Sequence, residues 1–268
     1  MRIAILLSGH VRSYQKTLNN FEQNFINNLE EAGHEYDVFI STWDNDGMKR
    51  AGGGHSQELT NNSVNIAKLK NSLNKSYQPK KLEIEENNDY LFVKKHVGKI
   101  LKKYPKLKNE KIRYNVKQHV EGILCQLYKI KKSFNLIDDI SQYDVIVKYR
   151  FDLFIKNKVD WSDKQFVERI TEGLYLKTKN KLMPDGTINW GDTIVIGPCA
   201  LMKYFCMSYD YITSDDITLQ LRKNFEGDVD IFSPTHIVNS VFQLENIKDK
   251  LCLYSFGEYH PWDSGTIR

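Results

Sequence analysis

Residues 2–12 read RIAILLSGHVR and residues 36–44 read YDVFISTWD, with a helical period between them. The run Ile3 to Leu7 is apolar at every position, so it predicts a strand buried on both faces, as strands of parallel sheets are. It breaks at Ser8-Gly9-His10. Leu18, Phe21, Phe25, Ile26 and Leu29 then fall on one helical face, and Gly33 supplies a C-terminal cap. Tyr36 to Thr42 is a second buried strand ending at Trp43-Asp44. Strand, glycine turn, helix and strand make a βαβ unit with a right-handed crossover, which predicts an α/β fold around a mostly parallel sheet flanked by helices.

The rest of the chain extends this reading. Val116, Val120, Ile123, Leu124, Leu127 and Phe134 repeat at helical spacing, giving a long helix over 115–136. Tyr143 to Ile155 (YDVIVKYRFDLFI) reads as a strand whose apolar half, Val145 to Val147, gives way to Lys148, Arg150 and Asp152. Leu82 to Ile84, Gly173 to Leu176 and Thr193 to Ile196 are further strands, with helices over 199–212 and from Pro234 to Phe242. No repeat or low-complexity linker interrupts the chain. A single core still grows to roughly 250 residues, so the 268 residues are expected to form one domain.

Composition narrows the function classes. With 41% hydrophobic and 27% charged residues, disordered, collagenous and coiled-coil chains are excluded. The excess of 38 Lys and Arg over 34 Asp and Glu is far below that of a dedicated nucleic-acid binder, and no nucleic-acid partner is expected. Cys125, Cys199, Cys206 and Cys252 form no CxxC pair, so neither a zinc site nor a redox motif is suggested. The first apolar run is too short for a signal peptide, and no stretch approaches the ~18 apolar residues of a membrane span. A soluble, cytoplasmic protein is the expectation. The charge is nevertheless concentrated: residues 94–117 hold ten Lys and Arg against the single acid Glu110. This stretch is either a solvated helix face or a contact for anionic headgroups at a membrane surface.

Several residues sit where open α/β sheets bind ligands, outside the carboxyl ends of strands. After the first strand, Ser8-Gly9-His10-Val11-Arg12 offers a glycine that lets backbone approach a phosphate and an arginine within reach of a pyrophosphate, with His10 as a donor or a turn residue. Neither GxGxxG nor GxxxxGK[ST] is present, which argues against a dinucleotide oxidoreductase and a P-loop ATPase. After the second strand, Thr42-Trp43-Asp44 pairs a ring able to stack on a base with an acid able to hold a ribose hydroxyl, or else a Trp that covers the sheet edge. The loop 44–62, with Gly47 and Gly52 to Gly54, is the kind of segment that closes over a ligand. Asp44-Asn45-Asp46-Gly47 begins like a calcium loop, but His55 stands where the closing glutamate belongs; Asp44 and Asp46 remain a rival metal pair.

Arg150-Phe151-Asp152 carries the clearest chemistry. A carboxylate at the end of a central strand can hold Mg2+ or Mn2+ against a diphosphate, and the adjacent guanidinium can fork onto a phosphate. The competing reading is a surface salt bridge. Asn189-Trp190-Gly191-Asp192 precedes the strand at 193, where Trp190 would stack on a sugar and Asp192 would accept a hydroxyl proton as general base; the alternative is a plain Gly-Asp turn. His260 and Trp262, in His260-Pro261-Trp262-Asp263, form a similar acceptor-type cluster.

In chain order, RIAILLSGHVRSY (2–14), YDVFISTWD (36–44), QLYKIKKSFNLI (126–137), YDVIVKYRFDLFI (143–155) and GDTIVIGP (191–198) resemble glycosyltransferase-like proteins of bacterial and viral surface-polysaccharide synthesis, including the WavE lipopolysaccharide group. The resemblance spans residues 1 to about 245, and RFD is its most specific piece. It implies a GT-A-like fold, with a Rossmann-type donor half over about 1–155 and an acceptor half over about 156–268. It also implies transfer of a sugar from a nucleotide-sugar to a glycan hydroxyl. Ser8, Gly9 and Arg12 would then lie at the donor nucleotide, and Asp152 would match the last acid of a DxD-type motif that holds Mn2+ or Mg2+. The first acid of that motif is Arg150 here, so either a single carboxylate binds the metal or Arg150 supplies part of the phosphate's counter-charge. Two other classes compete: a nucleotide-binding protein such as a methyltransferase, using Gly9 and Asp44 without metal, and an interaction protein recruited through 94–117.

Overall fold

The computed structural model describes residues 1–11, 14–44, 49–51, 56–58, 64–86, 90–103, 116–182, 188–214, 237–238, 240–242, 245–254 and 258–259, with backbone alone in 49–51, 56–58, 90–94, 103, 116–119, 177–182, 188–193, 248, 252–254 and 258–259. The first strand, β1, runs Arg2–Gly9 and leads into helix α1, Tyr14–Phe21. A π-helical stretch, Glu22–Ile26, joins α1 to α2, Asn27–Glu31. Strand β2 is Glu35–Trp43, and β3 (Lys49–Ala51) pairs with β4 (Ser56–Glu58) in a small antiparallel ribbon. Helix α3, Ile66–Tyr77, precedes β5, Lys81–Glu85. Helices α4 (Tyr90–Lys103) and α5 (Val116–Phe134) lead to β6, Val145–Tyr149, and the short β7, Phe154–Ile155. Helix α6 (Lys164–Glu172), β8 (Leu174–Leu182), β9 (Ile188–Pro198), α7 (Cys199–Cys206) and α8 (Ser208–Thr213) follow, then β10 (Leu251–Tyr254) and β11 (Glu258–Tyr259).

Seven strands form the central sheet in the order β10-β8-β9-β6-β1-β2-β5. Strands β1, β2, β5 and β6 are mutually parallel, β10 is parallel to β8, and β9 alone runs against both of its neighbours. The continuous apolar run is explained by this position: Ile3, Ile5 and Leu7 pack on one face while Ala4 and Leu6 pack on the other. Phe21, Phe25, Leu29, Leu73, Phe166 and Ile170 cover the first face, and Val120, Leu124, Leu127, Met202 and Phe205 cover the second. Helices thus sandwich a mostly parallel sheet, the Rossmann-type arrangement expected from residues 2–44.

Three expectations change. The predicted strand over 143–155 ends at Tyr149, because the chain turns through Phe151-Asp152 and resumes only as β7, which pairs with β11 outside the main sheet. The strand read at 173–176 is the start of the longer β8 and that read at 193–196 lies in the second half of β9, so Asn189–Asp192 is strand backbone and not a turn before a strand. The loop after Asp44 contains the β3–β4 ribbon; Gly47 and Gly52–Gly54 lie outside the described residues. The helix read from Leu18 to Leu29 is present, with the wider π turn in its middle. That turn keeps Asn20 and Asn24, and the stacked rings of Phe21 and Phe25 (centroids 5.7 Å apart), directed inward. Gly33 closes the helix at φ +73, as a cap in the left-handed region should.

Candidate functional site

From β1 the chain steps outward to β2 and β5, then crosses back to lay β6 on the other side of β1. The switch in direction falls between β1 and β6, and the crevice outside the carboxyl ends of those two strands is where open sheets of this kind bind ligands. Gly9 ends β1 at φ +105, a conformation that L side chains rarely adopt, and an added Cβ there would meet nothing within 4 Å. The Thr42 hydroxyl donates to the Gly9 carbonyl (2.7 Å), tying the end of β1 to the end of β2. Leu7 pairs with Tyr149, the last residue of β6, so Gly9 and the turn after β6 leave the same end of two neighbouring strands.

The turn after β6 is built by α1 and the π stretch. Thr17 donates to the Phe151 carbonyl. Asn20 donates to the Ile155 carbonyl (2.9 Å) and accepts from the Ile155 N–H (2.7 Å), and Asn24 donates to the same carbonyl (2.8 Å). Phe151 is buried against Tyr77. Arg150 and Asp152 flank it and meet in a fork: Nε donates to Oδ1 (2.9 Å) and Nη2 to Oδ2 (2.8 Å). Their side chains are 20% and 11% exposed, so this pair is no surface salt bridge. Asn20→Ala should destabilise the fold by about 1–3 kcal/mol, because it leaves the buried Ile155 N–H without its acceptor and takes one of the two donors from the Ile155 carbonyl. Urea unfolding followed by circular dichroism measures this; a loss below about 0.5 kcal/mol would mean that the clamp does not hold the turn.

A second polar cluster lies under the end of β2. Lys129, fully buried on α5, donates to the Thr42 carbonyl (2.8 Å) and to the Glu85 carboxylate, and its Nζ sits 4.0 Å from the centre of the Trp43 ring. Burial pulls the Lys129 ammonium below its ordinary value, against the opposing pull of Glu85. Burial raises Glu85, but the hydrogen bond and charge of Lys129, the hydrogen bond from Tyr128 and the charge of Lys132 together outweigh it and leave the carboxyl below the usual range. Tyr128 donates to Glu85 (3.0 Å) and is pushed up to about 12 by burial and by that carboxylate. Asp44 continues from this end: its N–H donates to the Glu85 carbonyl (3.0 Å) and its carbonyl accepts from Val64 (2.7 Å).

The structure therefore groups Ser8, Gly9 and Thr42 at one point and Arg150 with Asp152 beside it. His10 lies tilted against Trp43, ring centres 6.3 Å apart. Trp43 itself is a correction: it is 0% exposed, between Lys129, Tyr128 and His10, so it is a core residue and presents no face to a base. The backbone of Trp190 and Asp192 lies in β9, with Asp192 two residues beyond the Ile194–Tyr149 pair and so at the same rim as the Arg150–Asp152 turn. Their side chains, and Arg12, Asp46, His260 and Trp262, lie outside the described residues. Of the basic stretch, α4 places Lys95, Lys99 and Lys102 exposed at spacings of four and three, which is one helix face. Residues 104–115 lie outside the described residues. Among the described residues, no helix is long and apolar enough to cross a membrane.

Sequence reasoning missed Thr17, Asn20, Asn24, Glu85 and Lys129. The one available signal was polar residues on the inward face of an amphipathic helix, Thr17, Asn20 and Asn24 recurring at spacings of three and four. Lys148, which interrupts VIVKY, is buried at 1% exposure on the face opposite Val147.

No protein-family model matches the chain, and no curated protein is significantly similar to it. Among solved structures it is similar to mouse xyloside xylosyltransferase 1 in its apo form, with TM-score 0.45 and 7% identity over 95% of this chain and 86% of that one. It is also similar to the galactosyltransferase LgtC in complex with donor and acceptor sugar analogs, with TM-score 0.41 and 9% identity over 95% and 73%. The 4-diphosphocytidyl-2C-methyl-D-erythritol synthase of Anaerococcus prevotii gives TM-score 0.42 and 8% identity over 95% and 88%.

Proposed function

We propose that this chain transfers a sugar from a nucleotide-sugar donor to a hydroxyl of a glycan acceptor. The observation that carries the reading is the switch point. There a glycine with positive φ and a clamped Arg150–Asp152 turn stand side by side at the carboxyl ends of β1 and β6, in the blocks whose sequence resembles polysaccharide glycosyltransferases. Gly9, lacking a side chain, lets the donor pyrophosphate approach the backbone, with Ser8 beside it. Arg150 faces the negative charge that grows on the nucleoside diphosphate as the glycosidic bond breaks. Arg12 is assigned to the same phosphates, Asp44 to the donor ribose, and Asp192 to the acceptor side, removing the proton of the attacking hydroxyl in an inverting reaction. Trp190, His260 and Trp262 complete the acceptor side. Residues to about 155 then hold the donor and those from about 156 the acceptor.

The resemblance also implies Mn2+ or Mg2+ at Asp152. Hard dications of this kind collect several oxygen ligands. Here the carboxylate is one, both its oxygens accept from Arg150, and among the described residues no three His, Cys, Asp or Glu converge. Asp152 would supply one oxygen ligand to such an ion beside its bond to Arg150, and no step of the reaction is routed through the ion.

Thermal unfolding against a panel of UDP-, GDP-, CMP- and dTDP-sugars tests the donor reading. A ligand at 100-fold excess over its Kd stabilises the native state by about 2.7 kcal/mol, a rise of roughly 5–10 °C for a chain of this size. One nucleotide class should produce that rise. No shift with any donor, in EDTA or in Mn2+, would overturn the assignment, and a shift with S-adenosylmethionine alone would replace it with a methyltransferase.

A further inference from the structure

We propose that Thr42 is a positioning residue of the donor site: its hydroxyl holds Gly9 in the backbone conformation that receives the donor diphosphate. The inference rests on the donor-site reading above and names the group that prepares the site before the ligand arrives. Strand β1 outruns β6. Its pairs with β6 stop at Leu7 and Tyr149, whereas its pairs with β2 continue through Ser8 and Ser41 to Gly9 and Thr42. Among the described residues, the strand pairing of Gly9 therefore comes from β2 alone. A glycine adopts positive and negative φ about equally well, so its own chemistry does not keep Gly9 at φ +105.

The hydrogen bond from the Thr42 hydroxyl to the Gly9 carbonyl (2.7 Å) supplies that restraint. The Trp43 carbonyl stands farther off at 3.4 Å, so the single hydroxyl proton goes to Gly9. Thr42 is itself fixed. It is 0% exposed, its β-branch stiffens the first side-chain torsion, and its carbonyl accepts from the buried Lys129 (2.8 Å), whose ammonium is held in turn by Glu85. Order thus passes from α5 and β5 through Thr42 to the last residue of β1. With no exposed surface, Thr42 does not meet the ligand, and its effect on binding is exerted through Gly9. Fixing a flexible backbone before the ligand binds removes the cost of ordering it from the affinity.

Isothermal titration of the full chain with UDP, GDP, CDP and dTDP, each in Mn2+ and in EDTA, tests this. Thr42→Val keeps the branched shape and loses the hydroxyl, so it should weaken the nucleotide that binds by about three- to tenfold, the worth of one hydrogen bond. Thr42→Ser keeps the hydroxyl and loses a methyl, and should recover most of that loss. A merely structural role predicts the reverse order, because valine preserves the buried packing and serine leaves a methyl-sized void. In 15N spectra of the ligand-free protein, the Gly9 amide resonance should move in Thr42→Val and return toward its original position in Thr42→Ser, with circular dichroism unchanged in both. Affinity within about twofold of the original in folded Thr42→Val, or a loss at least as large in Thr42→Ser, would overturn the proposal and leave the donor site standing. Binding of none of the four nucleotides by the unaltered chain, in either condition, would overturn the donor site and this proposal together.

Discussion

Trp43→Ala is expected to lower the free energy of unfolding by about 3–5 kcal/mol, the range for truncating a large aromatic in a packed core. The ring is fully buried at the end of β2, stacked with Tyr128 at 6.0 Å and lying under the Lys129 ammonium at 4.0 Å. Its removal opens a cavity and also takes away the ring face that partly compensates a buried charge. Trp43→Phe keeps an aromatic face and most of the volume, so it should lose less than half as much. Guanidinium unfolding followed by circular dichroism decides: a loss below about 1 kcal/mol for Trp43→Ala would show the ring on the surface, where the stacking role first read from the sequence becomes available again.

Lys129→Met should be nearly as damaging, with a loss of about 3 kcal/mol. Breaking one side of a buried ion pair leaves the other charge unpaired, and measured losses of this kind run to roughly 3–5 kcal/mol. Glu85 keeps 17% exposure and also pairs with Lys132 at 3.3 Å, which places the loss at the lower end. The Thr42 carbonyl loses its donor at the same time. If the damage comes from the stranded carboxylate, Lys129→Met combined with Glu85→Gln recovers more than half of it in the same unfolding experiment. Additive losses in the double variant would refute the ion-pair account and point to simple loss of packing.

The two sites differ in how far the sequence announced them. Strands β1 and β2 and the helix between them follow from local pattern alone, because a strand covered on both faces has no polar position to confuse the period. The strand at 143–155 was misread in its second half for the opposite reason. Leu153, Phe154 and Ile155 are as apolar as a strand requires, and the turn that interrupts them is set by Thr17, more than a hundred positions earlier (a separation of 134). Thr42-Trp43-Asp44 allows either a ring that stacks on a base or one that covers the sheet edge, and nothing near it reveals that α5 brings Lys129, 86 positions on, to its face. The Arg150–Asp152 pair was legible as chemistry, since two opposite charges flanking a phenylalanine after an apolar strand need a reason. Whether the acid faced a metal or its own neighbour was a matter of side-chain direction, which spacing does not encode.

The single reversed strand, β9, has a consequence for how the molecule can diversify. In a wholly parallel sheet every strand reaches the binding rim by its end, so each contribution is a loop that must turn at once into a helix. Because β9 runs the other way, it reaches that rim by its beginning, through residues 188–192, and is anchored afterwards by its pairs from Ile194 to Pro198. On its other side the same stretch pairs with β8, Lys177 with Gly191, Thr178 with Trp190 and Leu182 with Ile188, so the rim end of β9 is held by an antiparallel neighbour and not by a strand-to-helix crossover. Substitutions at this end therefore change residues at the rim without touching the turn from a parallel strand into a helix.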